Sequence, residues 1–295
     1  MAIYDYQGNE ISSGGGSGYD WSNKKITFEG DSITANIGYP AYVCTQLDAA
    51  TAVNIAKAGY AVYPNSPTNA ADFRKRVSNI PYDTDAVVIL GDTNASDFPA
   101  SDADLFSTDP TTWAGRYNLA LDAIKRSFPT VPLFLVACFR QSGKNNQAKY
   151  VAHAFQRFAQ LWGCIYIDLS TEAPMNLLYS GKVWGLNGSD GVHPAKAFVS
   201  LYAQTVADHI QQIPPCAFTG TDSISIDATK SVAAGSTVDI SYTVTGDQSV
   251  QWTSSDMDVA CVLGGTVYGM AAGTATITAK TRSGKTATCV VTVSA

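Results

Sequence analysis

Charged residues are scarce in this sequence, and they do not gather into a basic segment. Asp, Glu, Lys and Arg make up 15% of the 295 residues, and the formal net charge is −6. The densest basic run is Arg-Lys-Arg at residues 74–76, which we predict to be the solvated face of a helix. An acidic chain without a basic patch binds phosphate backbones poorly, so nucleic acid is excluded as a partner.

Long apolar segments are also missing. The longest apolar run is VPLFLVACF, at residues 131–139. It is far shorter than the roughly 20 residues that cross a bilayer, so we expect no membrane span. The N-terminal stretch MAIYDYQGNEISSGGGSGYDW lacks the basic start and the apolar core of a secretory signal. The sequence therefore predicts no signal peptide and leaves the localisation open.

Cysteine is sparse and widely spaced. No Cys-x-x-Cys pair occurs, and no histidine stands near a cysteine at the spacing of metal ligands, so no metal site is predicted. Most of the cysteines lie in apolar runs, which favours buried free thiols. A disulfide between Cys261 and Cys289 is left open. The six cysteines are Cys44, Cys138, Cys164, Cys216, Cys261 and Cys289.

The part of the chain before residue 217 divides into an arm and an alternating region. Residues 1–22 contain the stretch SSGGGSG, which predicts a flexible N-terminal arm. In residues 23–216, short apolar runs alternate with amphipathic stretches of helical period. The apolar runs are KITFE, TAVNIA, DAVVILG, VPLFLVAC and CIYIDL. Strict alternation of strands and helices predicts a parallel α/β sheet flanked by helices, with binding sites beyond the carboxyl ends of the strands.

Residues 217–295 differ from the preceding region in composition and in hydrophobic periodicity. Two prolines at residues 214–215 end the last helical stretch. The sequence then becomes rich in Thr, Val, Ser and Gly and alternates with period two, with turn signals about every eight to twelve residues. This pattern predicts a small all-β sandwich whose core tryptophan is Trp252. We place the domain boundary near residue 217.

The chain offers the parts of a serine nucleophile. Ser32 follows the first predicted strand, in KITFEGDS, and would lie at the carboxyl edge of the sheet. Asp190 and His193 stand three residues apart in SDGVHP, just before the last predicted helix. A tight turn can place this carboxylate beside this imidazole, so that Asp190 orients His193 and His193 accepts the Ser32 proton.

Two further strand ends supply donors for an oxyanion. Gly59 follows the second predicted strand, where a bare backbone N–H can approach a substrate closely. Asn94 follows the third strand, in VVILGDTNAS, and its amide can donate to a developing negative charge. With the N–H of Ser32, these groups predict an oxyanion hole of three donors. The simpler alternatives are a turn glycine at Gly59 and an Asx turn at Asn94.

These motifs resemble the SGNH (GDSL-type) hydrolase family across nearly all of residues 24–213. GDS at residues 30–32, Gly59, Asn94 and DGVHP at residues 190–194 match the family's first, second, third and fifth blocks. The resemblance implies a flavodoxin-like three-layer α/β/α sandwich with a five-stranded parallel sheet. It also implies ester cleavage with no cofactor, by a triad of Ser32, Asp190 and His193. The third block departs from the family's Gly-x-Asn-Asp: here it reads Gly-Asp-Thr-Asn-Ala at residues 91–95.

The C-terminal region resembles the bacterial group 2 immunoglobulin-like domain. The runs WTSSDMDVACV and GGTVYGMAAGTATITA match the family's pattern over most of its length. Such modules occur in bacterial surface adhesins and in phage tail and capsid proteins, where they bind ligands or serve as spacers between other domains. The resemblance therefore implies assembly into a virion or a cell surface, through this domain or the N-terminal arm. A phage virion, or the cytoplasm before lysis, is the location that this interpretation favours.

Three functions follow from these patterns. The first is a serine esterase acting on an ester substrate, with an acylated glycan bearing short acyl groups such as acetyl as the expected partner. The second is a phage tail or surface glycan-binding protein with a hydrolase-like domain, and the third is a lipase or thioesterase for longer chains. For substrate binding we single out Trp184, which could equally anchor its loop, together with Tyr60 and Phe98. His153 and His209 lie in predicted helices and are expected to be structural.

Overall fold

A computed structural model describes most of the chain. It covers residues 3–4, 10–11, 18–48, 51–63, 72–98, 101–138, 145–172, 192–194, 196–218 and 220–295. The chain forms two compact units. The first unit combines Met1–Val62, Asp85–Leu105 and Pro132–Cys216, and the second combines Tyr63–Thr84, Phe106–Val131 and Ala217–Ala295. The second unit joins segments from both sides of residue 217, and the domain boundary near that residue stays a prediction.

The helices and strands occur in the order that the alternation predicts. The helices are α1 (Ser32–Ile37), α2 (Tyr39–Gln46), α3 (Phe73–Val77), α4 (Trp113–Ser127), α5 (Asn145–Trp162) and α6 (Lys196–Gln211), with a 3₁₀ turn at Asp102–Phe106. The strands up to residue 168 are β1 (Ile3–Tyr4), β2 (Glu10–Ile11), β3 (Lys25–Gly30), β4 (Thr51–Asn54), β5 (Ala86–Gly91), β6 (Leu133–Ala137) and β7 (Ile165–Asp168).

The first unit is built on a five-stranded sheet in the order β4-β3-β5-β6-β7. All four neighbouring pairs are parallel. Every residue of β5 and β6 is buried, as expected for central strands that are covered on both faces. The predicted α/β class with a five-stranded parallel sheet is confirmed.

Aromatic side chains join helices α2 and α6 to this sheet. Phe28 of β3 packs edge-on against Tyr39 of α2, with ring centroids 5.6 Å apart. Tyr39 in turn lies 5.3 Å from Tyr202 of α6. All three belong to one buried cluster with Val88 and Phe134 from neighbouring strands. Because α6 begins just after His193, this packing fixes where the histidine segment returns to the sheet.

The end of the predicted arm belongs to the first unit. Trp21 is 1% exposed, lies in the main core cluster and donates from Nε1 to the carbonyl of Ile213 at 3.2 Å. Tyr19 N–H donates to Gln211 O at 2.9 Å. Trp21 and Tyr19 therefore pack within the first unit, upstream of residue 23. The sequence places the start of the α/β domain at residue 23, and that bound stays a prediction. Further upstream, β1 and β2 pair as two short antiparallel strands.

The C-terminal part of the second unit is all-β, as predicted. Its strands are β8 (Asp222–Ile226), β9 (Thr229–Ala233), β10 (Thr237–Asp239), β11 (Tyr242–Gly246), β12 (Val250–Ser254), β13 (Ala260–Leu263), β14 (Thr266–Gly269), β15 (Gly273–Thr281) and β16 (Thr286–Ser294). They form sheets in the orders β12-β15-β16-β9, β10-β14-β13 and β11-β8. Trp252 is buried in the cluster that these sheets enclose, so the predicted core tryptophan is confirmed.

The prediction of a solvated Arg-Lys-Arg face was wrong. Arg74 and Arg76 of α3 are buried, at 9% and 1% exposure. Arg74 forms a two-point ion pair with Asp72, both distances being 2.8 Å, and its guanidinium lies 5.9 Å from the ring of Tyr268 in β14. The prediction failed because strands of the second unit pack against α3 and cover its arginines. The local sequence shows the three adjacent cations but gives no sign of that packing.

The cysteine prediction was right. All six cysteines are free and buried, including Cys261 and Cys289. Among the helices that the structure describes, none is both long enough and apolar enough to cross a membrane.

Candidate active site

The turn after β3 presents Ser32 at the carboxyl edge of the sheet. Gly30 ends the strand where a Cβ atom would collide with Thr34 Oγ1 and with the carbonyl of Leu90, so only glycine fits. Asp31 then caps α1, its Oδ1 accepting a hydrogen bond from Ile33 N–H at 2.9 Å. Ser32 is the first helical residue, which points its hydroxyl away from the strand and toward the incoming histidine segment.

His193 is the partner of Ser32. Its Nε2 atom lies 2.8 Å from Ser32 Oγ, across a sequence separation of 161 residues. At this distance the hydroxyl can donate to a neutral imidazole nitrogen, which is the geometry that a general base needs. Ser32 is buried and His193 is half-buried. Asp190 and Trp184, the other residues that the sequence places in this segment, lie outside the described residues.

Gly59 lies on the segment that follows β4. That segment continues to pair with β3 beyond the end of the regular strand, because Ile55 N–H donates to Phe28 O at 2.9 Å and Lys57 N–H to Gly30 O at 3.1 Å. The pairing leads the chain past the Ser32 turn. Gly59 has φ = +82°, a left-handed conformation that glycine adopts without strain. It is exposed, as is Tyr60 after it.

Asn94 lies on the loop that follows β5, and its side chain reaches the Gly59 segment. Asn94 Nδ2 donates to the carbonyl of Tyr60 at 3.0 Å. This bond uses one of the two amide hydrogens and leaves the other for a second acceptor. The two segments that carry the predicted oxyanion donors are therefore hydrogen-bonded to each other.

Asp31 ties the same loop to the nucleophile turn, and the sequence reasoning missed it. Its Oδ2 accepts from Thr93 N–H at 2.7 Å, while Oδ1 caps α1. The carboxyl group is fully buried. Burial raises the pKa of Asp31, against the lowering effect of these hydrogen bonds and of nearby His193. In the sequence, only the position of Asp31 between the glycine and serine of GDS could have indicated this role.

The other residues that the sequence singles out have partners of their own. Phe98 packs against Tyr150 of α5, with ring centroids 5.0 Å apart. His153 pairs with Asp102 at 2.9 Å, and His209 pairs with Glu172 at 3.0 Å. In the described part of the chain, no group of three or more His, Cys, Asp or Glu side chains could hold a metal ion.

This geometry indicates an α/β protein whose functional site lies at the carboxyl edge of a parallel sheet, where Ser32 meets His193. The chain belongs to the GDSL-like lipase/acylhydrolase family, whose model matches residues 28–198, and it is therefore a carboxylic ester hydrolase. A second model, that of the bacterial Ig-like domain (group 2), matches residues 221–291. No curated protein matches the chain.

Solved structures support the fold. A protein from Lactobacillus plantarum is 20% identical, with a TM-score of 0.53, over 64% of this chain and 97% of its own. The acetylxylan esterase Axe2 from Geobacillus stearothermophilus is 18% identical, with a TM-score of 0.46, over 65% of this chain and 96% of its own.

Proposed function

We propose that the chain is a serine esterase in which Ser32, His193 and Asp190 form the catalytic triad. The observation that carries the proposal is the 2.8 Å contact between Ser32 Oγ and His193 Nε2. Ser32 Oγ attacks the ester carbonyl carbon while His193 Nε2 takes the hydroxyl proton. Asp190, three residues before His193 in the chain, orients the ring and stabilises the imidazolium that forms.

The tetrahedral intermediate places a negative charge on the former carbonyl oxygen. The N–H groups of Ser32 and Gly59 and the remaining amide hydrogen of Asn94 stabilise this oxyanion. The intermediate collapses when the ester C–O bond breaks and His193 passes its proton to the leaving alcohol. Water then attacks the acyl-enzyme while His193 takes its proton, and His193 passes that proton to Ser32 Oγ as the acyl–oxygen bond breaks and the acid leaves.

We propose short acyl groups, acetyl above all, on a carbohydrate as the substrate. Tyr60, the exposed residue that follows Gly59, supports a sugar ligand, since an exposed aromatic ring suits the apolar face of a sugar ring. Phe98 and Trp184 are the other proposed contacts. The Ig-like match supports a surface or virion setting, where acylated glycans are encountered.

A series of nitrophenyl esters tests this function. We expect turnover of the acetyl ester, a fall in kcat/KM with octanoyl and palmitoyl esters, and no turnover by Ser32→Ala at any length. Acetate release from acetylated xylo- and chito-oligosaccharides then identifies the sugar. A folded protein that prefers palmitoyl esters would favour a lipase, and one without any turnover would contradict the esterase.

Glycan binding without chemistry is the second candidate, and the Ig-like match favours it. It predicts that Ser32→Ala binds an unmodified glycan as well as the wild type does, and that the wild type hydrolyses no ester. Binding by both proteins combined with turnover by the wild type alone would support the esterase.

A further inference from the structure

The loop of residues 92–95, which we call the Asn94 loop, has an unusual arrangement of acceptors. Three of its carbonyl groups, those of Asp92, Thr93 and Ala95, converge on a single atom, Gln147 Nε2. The distances are 3.0, 2.8 and 3.0 Å. Three carbonyl oxygens that face one point repel one another unless a donor lies between them. The loop conformation therefore depends on a donor at that point.

The Gln147 amide must face the loop with its nitrogen rather than its oxygen. All three partners are acceptors, and they would repel the amide oxygen. Gln147 is half-buried and belongs to α5, an 18-residue helix. That helix packs against β6 and β7, so the amide projects from a rigid element of the first unit. An anchored side chain holds a loop better than a second loop would.

The nucleophile turn and the Gly59 segment also hold the Asn94 loop. Thr93 N–H donates to Asp31 at 2.7 Å, and Val62 N–H donates to Asp92 Oδ1 at 3.3 Å. Because Gln147 and these bonds together hold the residues on either side of Asn94 in the chain, Asn94 has little freedom to move. Its amide can then remain aimed between Tyr60 O and the reacting carbonyl.

We propose that Gln147 is a positioning residue for the oxyanion donor Asn94. This inference rests on the proposed function. Gln147 does not touch the substrate; it gathers three loop carbonyls and so keeps the Asn94 amide where the negative charge develops. Misplacing an oxyanion donor lowers kcat far more than it raises KM, because the donor acts mainly in the transition state.

A double-mutant cycle tests the inference with acetyl nitrophenyl ester as substrate. The variants are Gln147→Met, which keeps the length but loses the donor, Asn94→Ala, and both together. We expect Asn94→Ala to lower kcat by about 10²–10³-fold. We expect Gln147→Met to lower kcat by roughly 10-fold or more with KM little changed, and to have less than about a 2-fold effect once Asn94 is absent.

The control is Gln156→Met, an exposed position on the same helix, which should leave kcat unchanged. Should Gln147→Met fail to fold, Gln147→Glu replaces it, since a carboxylate facing the three carbonyls should lower kcat at least as much. A Gln147 variant with wild-type kcat would overturn the inference. So would a Gln147 effect of equal size with and without Asn94, which indicates a general structural role.

The outcome for wild type separates this inference from the proposed function. If the folded wild type does not hydrolyse the ester, or if Ser32→Ala does, the proposed function fails. If the wild type is active, Ser32→Ala is inactive and Gln147→Met behaves as wild type, only the role of Gln147 fails.

Discussion

Ser32 Oγ and His193 Nε2 lie 2.8 Å apart although 161 residues separate them in the chain. Ser32 is held by the turn that ends β3, and His193 by the start of α6, whose Tyr202 packs on Tyr39 of α2. The contact thus depends on two anchored segments, each fixed by the same core cluster.

Replacing His193 should remove the base without disturbing the core. We expect His193→Gln to lower kcat for acetyl nitrophenyl ester by about 10²–10⁴-fold, the usual contribution of general-base catalysis. The thermal midpoint should stay close to that of the wild type, because the side chain is only half-buried. His153→Gln, at the exposed pair with Asp102, is the matched control and should keep full activity.

Gly59 can be compared directly with Gly38. Both have φ = +82°, and at both a Cβ atom would meet nothing within 4 Å. At either position, substitution by alanine should therefore lower the free energy of unfolding by about 1–2 kcal/mol through backbone strain alone. Only Gly59→Ala should also lower kcat, by roughly 10-fold, because relief of the strain tilts an oxyanion N–H. Equal kcat values in the two variants would contradict the role of Gly59.

Asp31 should make stability depend on pH. Burial raises its folded pKa above the ordinary value of 3.8, so the folded state holds the proton more tightly than the unfolded state does. The stability contribution of this group is therefore lost as pH rises from 3.8 through the raised folded pKa. Asp31→Asn does not titrate there. We expect the free energy of unfolding of the wild type, minus that of Asp31→Asn, to fall with rising pH in this window and then become constant.

Denaturant unfolding at a series of pH values measures this difference. At all pH values Asp31→Asn should be the less stable protein by about 1–3 kcal/mol, because its amide NH₂ would face a buried N–H donor. A difference that rises with pH would show that Asp31 has a lowered pKa instead.

The six cysteines should be unreactive in the folded protein. All are buried, and burial raises the pKa of Cys44 to about 12 and that of Cys261 to about 11. The thiolate is the reactive form, and at pH 8 little of it would be present. We expect a chromogenic disulfide reagent to titrate essentially none of the thiols in the native protein and all six after denaturation. Fast reaction of any thiol before denaturation would contradict the described burial.

Local patterns were enough to predict the sheet and the residues at its edge. Ser32, Gly59 and Asn94 each follow an apolar strand, and parallel strands bring their carboxyl ends together whatever the details of packing. Because α6 follows His193 closely, its helical period also predicted where that residue would lie. These predictions required only the order of the elements along the chain.

Partners distant in sequence could not be predicted in the same way. Gln147 is one polar residue on an amphipathic helix, and nothing local indicates that it meets carbonyls 52 to 55 residues away. The sequence predicts Arg74 and Arg76 in solvent because it shows their charge but not the strands that cover them. Side-chain recognition between remote segments depends on tertiary packing, which periodicity does not encode.

The most direct test of the central claim is labelling of the native protein with a fluorophosphonate, followed by peptide mapping. The account predicts a single modified residue, Ser32, with labelling greatly slowed in His193→Gln. Modification of another serine, or a folded wild type that takes up no label, would contradict the claim that Ser32 is a nucleophile activated by His193.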